Sequence, residues 1–286
     1  MIKITNLSKK YRNDLVLNNI NLNIKKGKTY GLVGENGAGK TTLINCITKV
    51  IKDYGGSIQC NFKENLLGFM PQDALLEEDT TPEKLLTFFY SLYDKNDKNL
   101  LKNVNNALKV AGCYEVKDKK IKTLSHGMKR RIMIAQAILH DPEFIILDEP
   151  TSGLDPKVII EIRSLIKKLK NKGKTLFISS HNTRDIEEIC DYLIFIDNGI
   201  IKKEEEMQNY RGNNLIKITL NGKLKESDIS LLNKIKNIEK IKQDNNELLI
   251  FIKDKNSLNQ TINNILKNDI EFINIRTGKE IDDIFK

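Results

Sequence analysis

Two groups of residues in the 286-residue chain have types and spacings that could do chemistry. The first is Gly34-Glu35-Asn36-Gly37-Ala38-Gly39-Lys40-Thr41, followed by Thr42. It fits G-x-x-x-x-G-K-[ST], with an apolar run from Thr29 to Val33 before it and a helical pattern after it, the context the motif must have. The glycines let successive backbone N–H groups turn inward on phosphate oxygens, and the helix starting near Lys40 aims its positive dipole end at them. Lys40 would add a full charge on the β- and γ-phosphates, and Thr41 would ligate Mg²⁺. The second group is Phe144-Ile145-Ile146-Leu147-Asp148-Glu149, a run apolar enough to be a buried strand, ending in two acids. A parallel strand presents ligands at its carboxyl end, so Asp148 can reach that Mg²⁺ while Glu149 reaches the solvent side of the γ-phosphate. Together the two groups predict ATP and Mg²⁺ as ligands and hydrolysis as the reaction.

Hydrophobic patterning says which elements must position these residues. Ile2 to Thr5, Ile20 to Ile24, Thr29 to Val33, Ser57 to Cys60 and Leu67 to Met70 read as short strands, interrupted by a helix over Lys40 to Ile51 and a breaker at Gly55-Gly56. From Thr81 to His140 the pattern is helical. Thr81-Pro82 is a start signal, further helices fall at Leu100 to Val110 and Met128 to Leu139, and Asp141-Pro142 ends the last. Strand and helix then alternate: Phe144 to Leu147, Pro156 to Lys172, Thr175 to Ser179, Arg184 to Cys190 and Tyr192 to Asp197. Such alternation implies a parallel sheet wrapped by helices. Asn198-Gly199 is a strong hairpin signal, adding a short antiparallel edge at Ile200 and Ile201.

The polar stretch that follows, with Glu204, Glu205 and Glu206 in a row and Arg211-Gly212-Asn213-Asn214 at its end, reads as a linker over 206–214. Beyond it, Leu215 to Leu220, Ile238 to Ile241, Leu248 to Ile252 and Ile270 to Ile275 look like strands, with helices near Ile229 to Ile235, Leu258 to Leu266 and Lys279 to Phe285. That β-α-β-β-α-β order suggests a small split α/β sandwich over 215–286. The expected fold class is therefore α/β: a P-loop ATPase core with a mostly parallel sheet, an antiparallel β edge and a helical subdomain near 73–140, plus a small C-terminal α+β domain.

With five further elements in order, residues 1–205 resemble the nucleotide-binding subunit of an ATP-binding cassette (ABC) transporter. Leu124-Ser125-His126-Gly127-Met128 stands where that family has Leu-Ser-Gly-Gly-Gln. Gln72, in Met70-Pro71-Gln72, matches the Q-loop glutamine, and Ser152-Gly153-Leu154-Asp155 matches the D-loop. His181 matches the switch histidine, and Tyr11 stands in the place of the aromatic that stacks on adenine. The resemblance implies Glu149, His181, Gln72 and Lys40 as catalytic residues and Thr41, Gln72 and Asp148 as metal ligands. Nucleotide contacts would come from Tyr11, from Gly34 through Thr42, and from Ser125 and Gly127. It also implies a head-to-tail pair with a second ABC ATPase subunit, identical or not, with each ATP held by the P-loop of one and the signature of the other. Ser125 also reads as the N-cap of the helix that follows. His126 in place of glycine would cost about 1 kcal/mol if the backbone there must adopt a glycine-like conformation.

Composition narrows the setting. Apolar residues are 40% and charged residues 30%, near globular averages. No apolar run approaches the about 20 residues a membrane-spanning helix needs, and the first ten residues alternate rather than form a signal core, so a cytoplasmic location is expected. The membrane-spanning part would be separate permease subunits, with this chain peripheral on the inner face of the cell membrane. Cys46, Cys60, Cys113 and Cys190 are scattered, without metal-ligand spacing, and read as buried thiols. The net charge of +9 includes a basic stretch from Lys95 to Arg131 that would face anionic lipid or acidic permease loops. Aromatics are only 6% and Trp is absent, so no nucleic-acid partner is expected. The arrangement resembles drug, bacteriocin and lantibiotic exporters, which often end in an acidic-hydrophobic helix like Glu280 to Phe285. A peptide, drug or lipid-like cargo follows. A soluble ABC ATPase acting on ribosomes or DNA, and an importer ATPase, are the rival readings. The former usually carries two cassettes or a long coiled-coil insertion, and the latter a longer, β-rich carboxy-terminal domain.

Overall fold

Ile2, Ile4 and Leu7 alternate inward along the first strand, and Leu17, Ile20, Leu22 and Ile24 do the same along the second. In the computed structural model, which describes residues 1–62, 66–73, 75–94, 96–207, 215–220, 226–244, 247–254, 257–267 and 272–277, the chain forms two compact units, Met1–Glu205 and Glu206–Lys286. The first contains a three-stranded antiparallel sheet in the order β2-β1-β4, made of β1 (Ile2–Tyr11), β2 (Asp14–Ile24) and β4 (Gly55–Cys60). These strands outrun their apolar cores, and Gly55-Gly56, expected as a breaker, opens β4 instead.

The second sheet has six strands in the order β5-β6-β7-β3-β8-β9: β3 (Thr29–Val33), β5 (Leu67–Met70), β6 (Phe144–Leu147), β7 (Thr175–Ser180), β8 (Tyr192–Asp197) and β9 (Ile200–Glu206). β5-β6, β6-β7, β7-β3 and β3-β8 are parallel pairs, and β3, β6 and β7 are buried at every position, as central parallel strands are. β9 is longer than the two-residue edge expected at Ile200 and Ile201. Lys203 pairs with Glu205 at 2.7 Å, and charge suits an edge strand. Glu206 therefore belongs to a strand and Met207 after it is buried, and the remainder of the expected linker, 208–214, lies outside the described residues.

α1 (Lys40–Ile47) buries Leu43, Ile44 and Ile47 in the core shared by the two sheets. It stops short of the expected Ile51 because Lys49 turns to a φ of 61°. The helical part holds α2 (Pro82–Tyr93), α3 (Leu100–Ala111) and α4 (His126–Ile138). Thr81 caps α2 by accepting the Lys84 N–H at 3.4 Å, and Ser125 caps α4 by accepting the Met128 N–H at 3.3 Å. α5 (Pro156–Asn171) and α6 (Thr183–Ile189) complete the unit. Register is what builds the site. Val33 pairs with Ser180 and Leu147 with Ile178, so the carboxyl ends of β3, β6 and β7 stand side by side.

The second unit runs β10 (Leu215–Leu220), α7 (Glu226–Asn233), β11 (Ile238–Asp244), β12 (Glu247–Ile252), α8 (Leu258–Leu266) and β13 (Phe272–Thr277). Its antiparallel sheet has the order β11-β12-β10-β13 and its own core of Ile216, Ile218, Leu220, Leu232, Leu248, Ile250, Ile252 and Ile265. The expected helix over Lys279 to Phe285 lies outside the described residues.

Candidate active site

Loops that leave the carboxyl ends of β3, β5 and β6 meet over one cavity of about 260 Å³, with the end of β7 paired beside β3 and β6. Glu35, Asn36, Gly37, Gly39, Lys40, Thr41, Thr42, Gln72 and Glu149 line it, together with Val16. Gly39 precedes α1 with a φ of 104°, a conformation open to glycine at little cost, and no side chain caps the helix. The first N–H groups of α1 and its positive dipole end are left for an anion. Gly34 and Ala38 are buried in the same turn. The Lys40 ammonium, buried beside it, donates to the carbonyls of Gly34 at 2.7 Å and Glu35 at 3.2 Å and stands 3.7 Å from Glu149 Oε1.

Asp148 is 1% exposed. Its Oδ1 accepts the Ser179 hydroxyl at 2.5 Å, while its Oδ2 is buried without a hydrogen-bond partner. Burial raises the pKa of this carboxyl above its ordinary value, and the Ser179 hydroxyl and the nearby Thr41 work against that shift. A buried carboxylate oxygen left unpaired is costly, and a cation would satisfy it. The nearby donors, Thr41, Gln72 and Asp148, are all oxygens of the kind a hard cation such as Mg²⁺ takes, so the residues fit that ion.

Glu149 has a φ of 49°, the left-handed region where a non-glycine residue is uncommon and where strain tends to mark functional sites. The turn brings Oε1 toward Lys40 and Oε2 to 2.8 Å from Nδ1 of the half-exposed His181. A carboxylate held between an ammonium and an imidazole, beside a cavity at an uncapped helix amino end, can accept a proton from water.

A profile of the ABC transporter family matches residues 17–152. The lantibiotic transport ATP-binding protein SrtF of Streptococcus pyogenes is 34% identical over 212 residues, which cover 72% of this chain and 91% of that protein. This chain belongs to the ABC transporter family. The bacitracin transport ATP-binding protein BcrA of Enterococcus faecalis is 38% identical over 214 residues, covering 71% of this ABC ATPase and 68% of BcrA. A dimeric ATP-binding cassette solved in a post-hydrolysis state with ADP and phosphate matches with a TM-score of 0.65 and 26% identity. That match covers 72% of this chain and 99% of the cassette. The protein is thus an ATPase subunit of an ABC transporter. No helix among the described residues is long and apolar enough to cross a membrane.

Three nucleotide-contact residues expected of this ABC ATPase lie away from the cavity. Ser125 and Gly127 sit at the start of α4 and do not line it. A Cβ on Gly127 would come within 2.6 Å of Val158 Cγ1, so this glycine lets α4 and α5 approach. His126 opens α4 and is not among the residues with positive φ, so histidine incurs no left-handed backbone cost there. Tyr11 ends β1, 45% exposed, with the Lys9 ammonium 5.0 Å from its ring centroid, and is not a lining residue.

The structure also adds residues that motif reasoning missed. Buried Arg130 donates to the carbonyls of Gln72 at 2.9 Å and Ser152 at 3.4 Å, tying α4 to the Q-loop and the D-loop. Buried Asp185 accepts from Thr151, from Ser180 at 3.3 Å and from Arg163 Nε at 2.6 Å, which ties α6 to the same D-loop segment. Ser179 touches both acids. A polar pair, Ser179-Ser180, closing an apolar strand was the available signal; Arg130 had none, since a helical arginine reads as surface.

Proposed function

We propose that this ABC ATPase hydrolyses ATP at the cavity beneath α1 and thereby powers export of a peptide, drug or lipid-like compound through separate permease subunits. The single observation that carries the site is the meeting of Lys40, Thr41, Gln72 and Glu149 around one cavity at an uncapped helix amino end, with His181 bonded to Glu149 and buried Asp148 next to Glu149 in the chain. The triphosphate lies on α1, and Lys40 exchanges its carbonyl partners for the β- and γ-phosphates. Thr41, Gln72 and Asp148 would hold Mg²⁺, which when bound would supply positive charge to the triphosphate. Glu149 takes the proton of the attacking water as its oxygen bonds the γ-phosphorus and the bond to the ADP oxygen breaks, releasing ADP and phosphate. His181, through Nδ1, orients that carboxylate. Tyr11, exposed, is the candidate stacking surface for adenine.

Because Ser125 and Gly127 lie off their own chain's cavity, nucleotide contact by them requires a second ABC subunit placed head to tail, identical or not. Export is the reading favoured by relatives named for lantibiotic and bacitracin transport. For the permease, a groove of about 410 Å³ lined by Leu75, Leu76, Phe88 and Phe89 offers apolar surface, with Leu75 and Phe88 exposed. Docking there places the chain in the cytoplasm, peripheral on the inner face of the cell membrane. Co-expression with its neighbouring genes, followed by membrane fractionation, tests this. The chain should sediment with membranes, and Leu75→Asp with Phe88→Asp should release it with ATPase activity retained. Unchanged sedimentation of that variant would contradict the docking surface.

A further inference from the structure

We propose that Ser179 is a positioning residue for hydrolysis, a single hydroxyl that sets the orientation of both Asp148 and Glu149; this rests on the roles proposed above for the two acids. Ser179 is fully buried in β7, next to the end of β6. Its O–H donates to Asp148 Oδ1 at 2.5 Å, and its oxygen accepts the backbone N–H of Glu149 at 2.8 Å. A serine hydroxyl has one proton to give, so the donor is committed to Asp148 and an acceptor site to Glu149. Among the described residues this hydroxyl makes no other hydrogen bond, and both partners belong to the proposed catalytic cluster.

Each bond has a consequence at the site. With Oδ1 held by Ser179, the oxygen without a partner is Oδ2, so the serine decides which oxygen of Asp148 is offered to a cation. At Glu149 the backbone turns to a φ of 49°, and a conformation of that kind persists only where its surroundings hold it. The N–H of that residue is fixed by Ser179, and the turn it stabilises directs the two carboxylate oxygens to Lys40 and His181. Ser180, next along the strand, points the other way, to Asp185 and the Asn182 N–H, as successive strand residues do. An alanine at 179 would leave a buried amide and a buried carboxylate oxygen without their partner.

The test uses the full chain with Ser179→Ala, Ser179→Cys and Ser179→Thr beside the parent. Without nucleotide or metal, hydrogen exchange at the Glu149 amide should quicken about tenfold or more in Ser179→Ala, the effect of losing one buried hydrogen bond, and return toward the parent in Ser179→Thr. In turnover, Ser179→Ala should lower kcat about tenfold or more and raise the Mg²⁺ concentration for half-maximal rate. ATP affinity measured without Mg²⁺ should stay within about threefold, since α1 and Lys40 are untouched. A merely structural serine would lower the unfolding temperature without moving the Mg²⁺ midpoint. If Ser179→Ala does not fold, Ser179→Cys, with a weak donor of similar size, must show the same kcat and Mg²⁺ changes; parent-like values in the folded variant overturn the inference. Parent rates in Glu149→Gln would instead sink the catalytic reading itself, whereas a dead Glu149→Gln beside a normal Ser179→Ala would remove Ser179 alone.

Discussion

Lys40 is a buried ammonium whose neighbours are two carbonyls and one carboxylate, an arrangement that gains most when phosphate arrives. A charge-assisted contact is worth roughly 1.5 to 3 kcal/mol, so Lys40→Ala should weaken ATP binding about tenfold or more in a calorimetric titration. Parent affinity in that variant would contradict the phosphate cradle. Cysteine reactivity follows burial. Desolvation pushes the Cys46 and Cys113 thiols up to about 11, so at pH 8 both should resist iodoacetamide while the half-buried Cys60 labels first, as read by mass spectrometry. Folding favours the neutral thiols, so their contribution to stability is full below the ordinary thiol range and fades as pH rises toward 11. The meeting of Lys40, Asp148, Glu149 and His181 was legible in the chain because each follows an apolar strand, and parallel strands share a carboxyl end. Ser179 and Arg130 were not, since neither a strand serine nor a helix arginine reveals its partner until register and helix packing are known.

Elements show why boundaries were harder to read than types. The helix after the phosphate loop was clear from its apolar spacing, yet its end was set by the left-handed Lys49, a residue with no turn signal of its own. β9 was obscured because an edge strand can carry Lys202 through Glu206 without an apolar stripe. The β-α-β-β-α-β order of the second unit could be read because its central strands alternate buried residues, Ile216, Ile218 and Leu220 in β10 and Leu248, Ile250 and Ile252 in β12, while the outer two keep apolar residues that pack partly buried against them. Since the two units have separate cores, a chain ending at Asn209 should stay folded and bind ATP; aggregation of that fragment would show a shared core. Between elements, Arg130 joins α4 to two loops. Arg130→Met removes charged hydrogen bonds worth about 1.5 to 3 kcal/mol, so Tm in a calorimetric scan should fall by several degrees. An unchanged Tm would mean those carbonyls find other donors.

At the scale of the whole molecule, the P-loop and the start of α4, the two surfaces proposed to contact nucleotide, do not line one cavity in a single chain. Pairing with a second subunit would bring them together, and the proposed hydrolysis would then depend on Glu149. Glu149→Gln keeps the shape of the side chain and removes its charge. General-base assistance contributes about 10² to 10⁴-fold, whereas Lys40, the glycine turn and α1 hold the phosphates without it. The decisive measurement is therefore steady-state turnover of Glu149→Gln alongside its ATP affinity. Turnover should fall at least about a hundredfold while affinity stays within a few-fold, and Mg²⁺-ATP should shift the variant to an earlier elution volume as an ATP-bridged pair accumulates. Hydrolysis by Glu149→Gln at near the parent rate would contradict the assignment of Glu149 as the base and, with it, the catalytic account of this site.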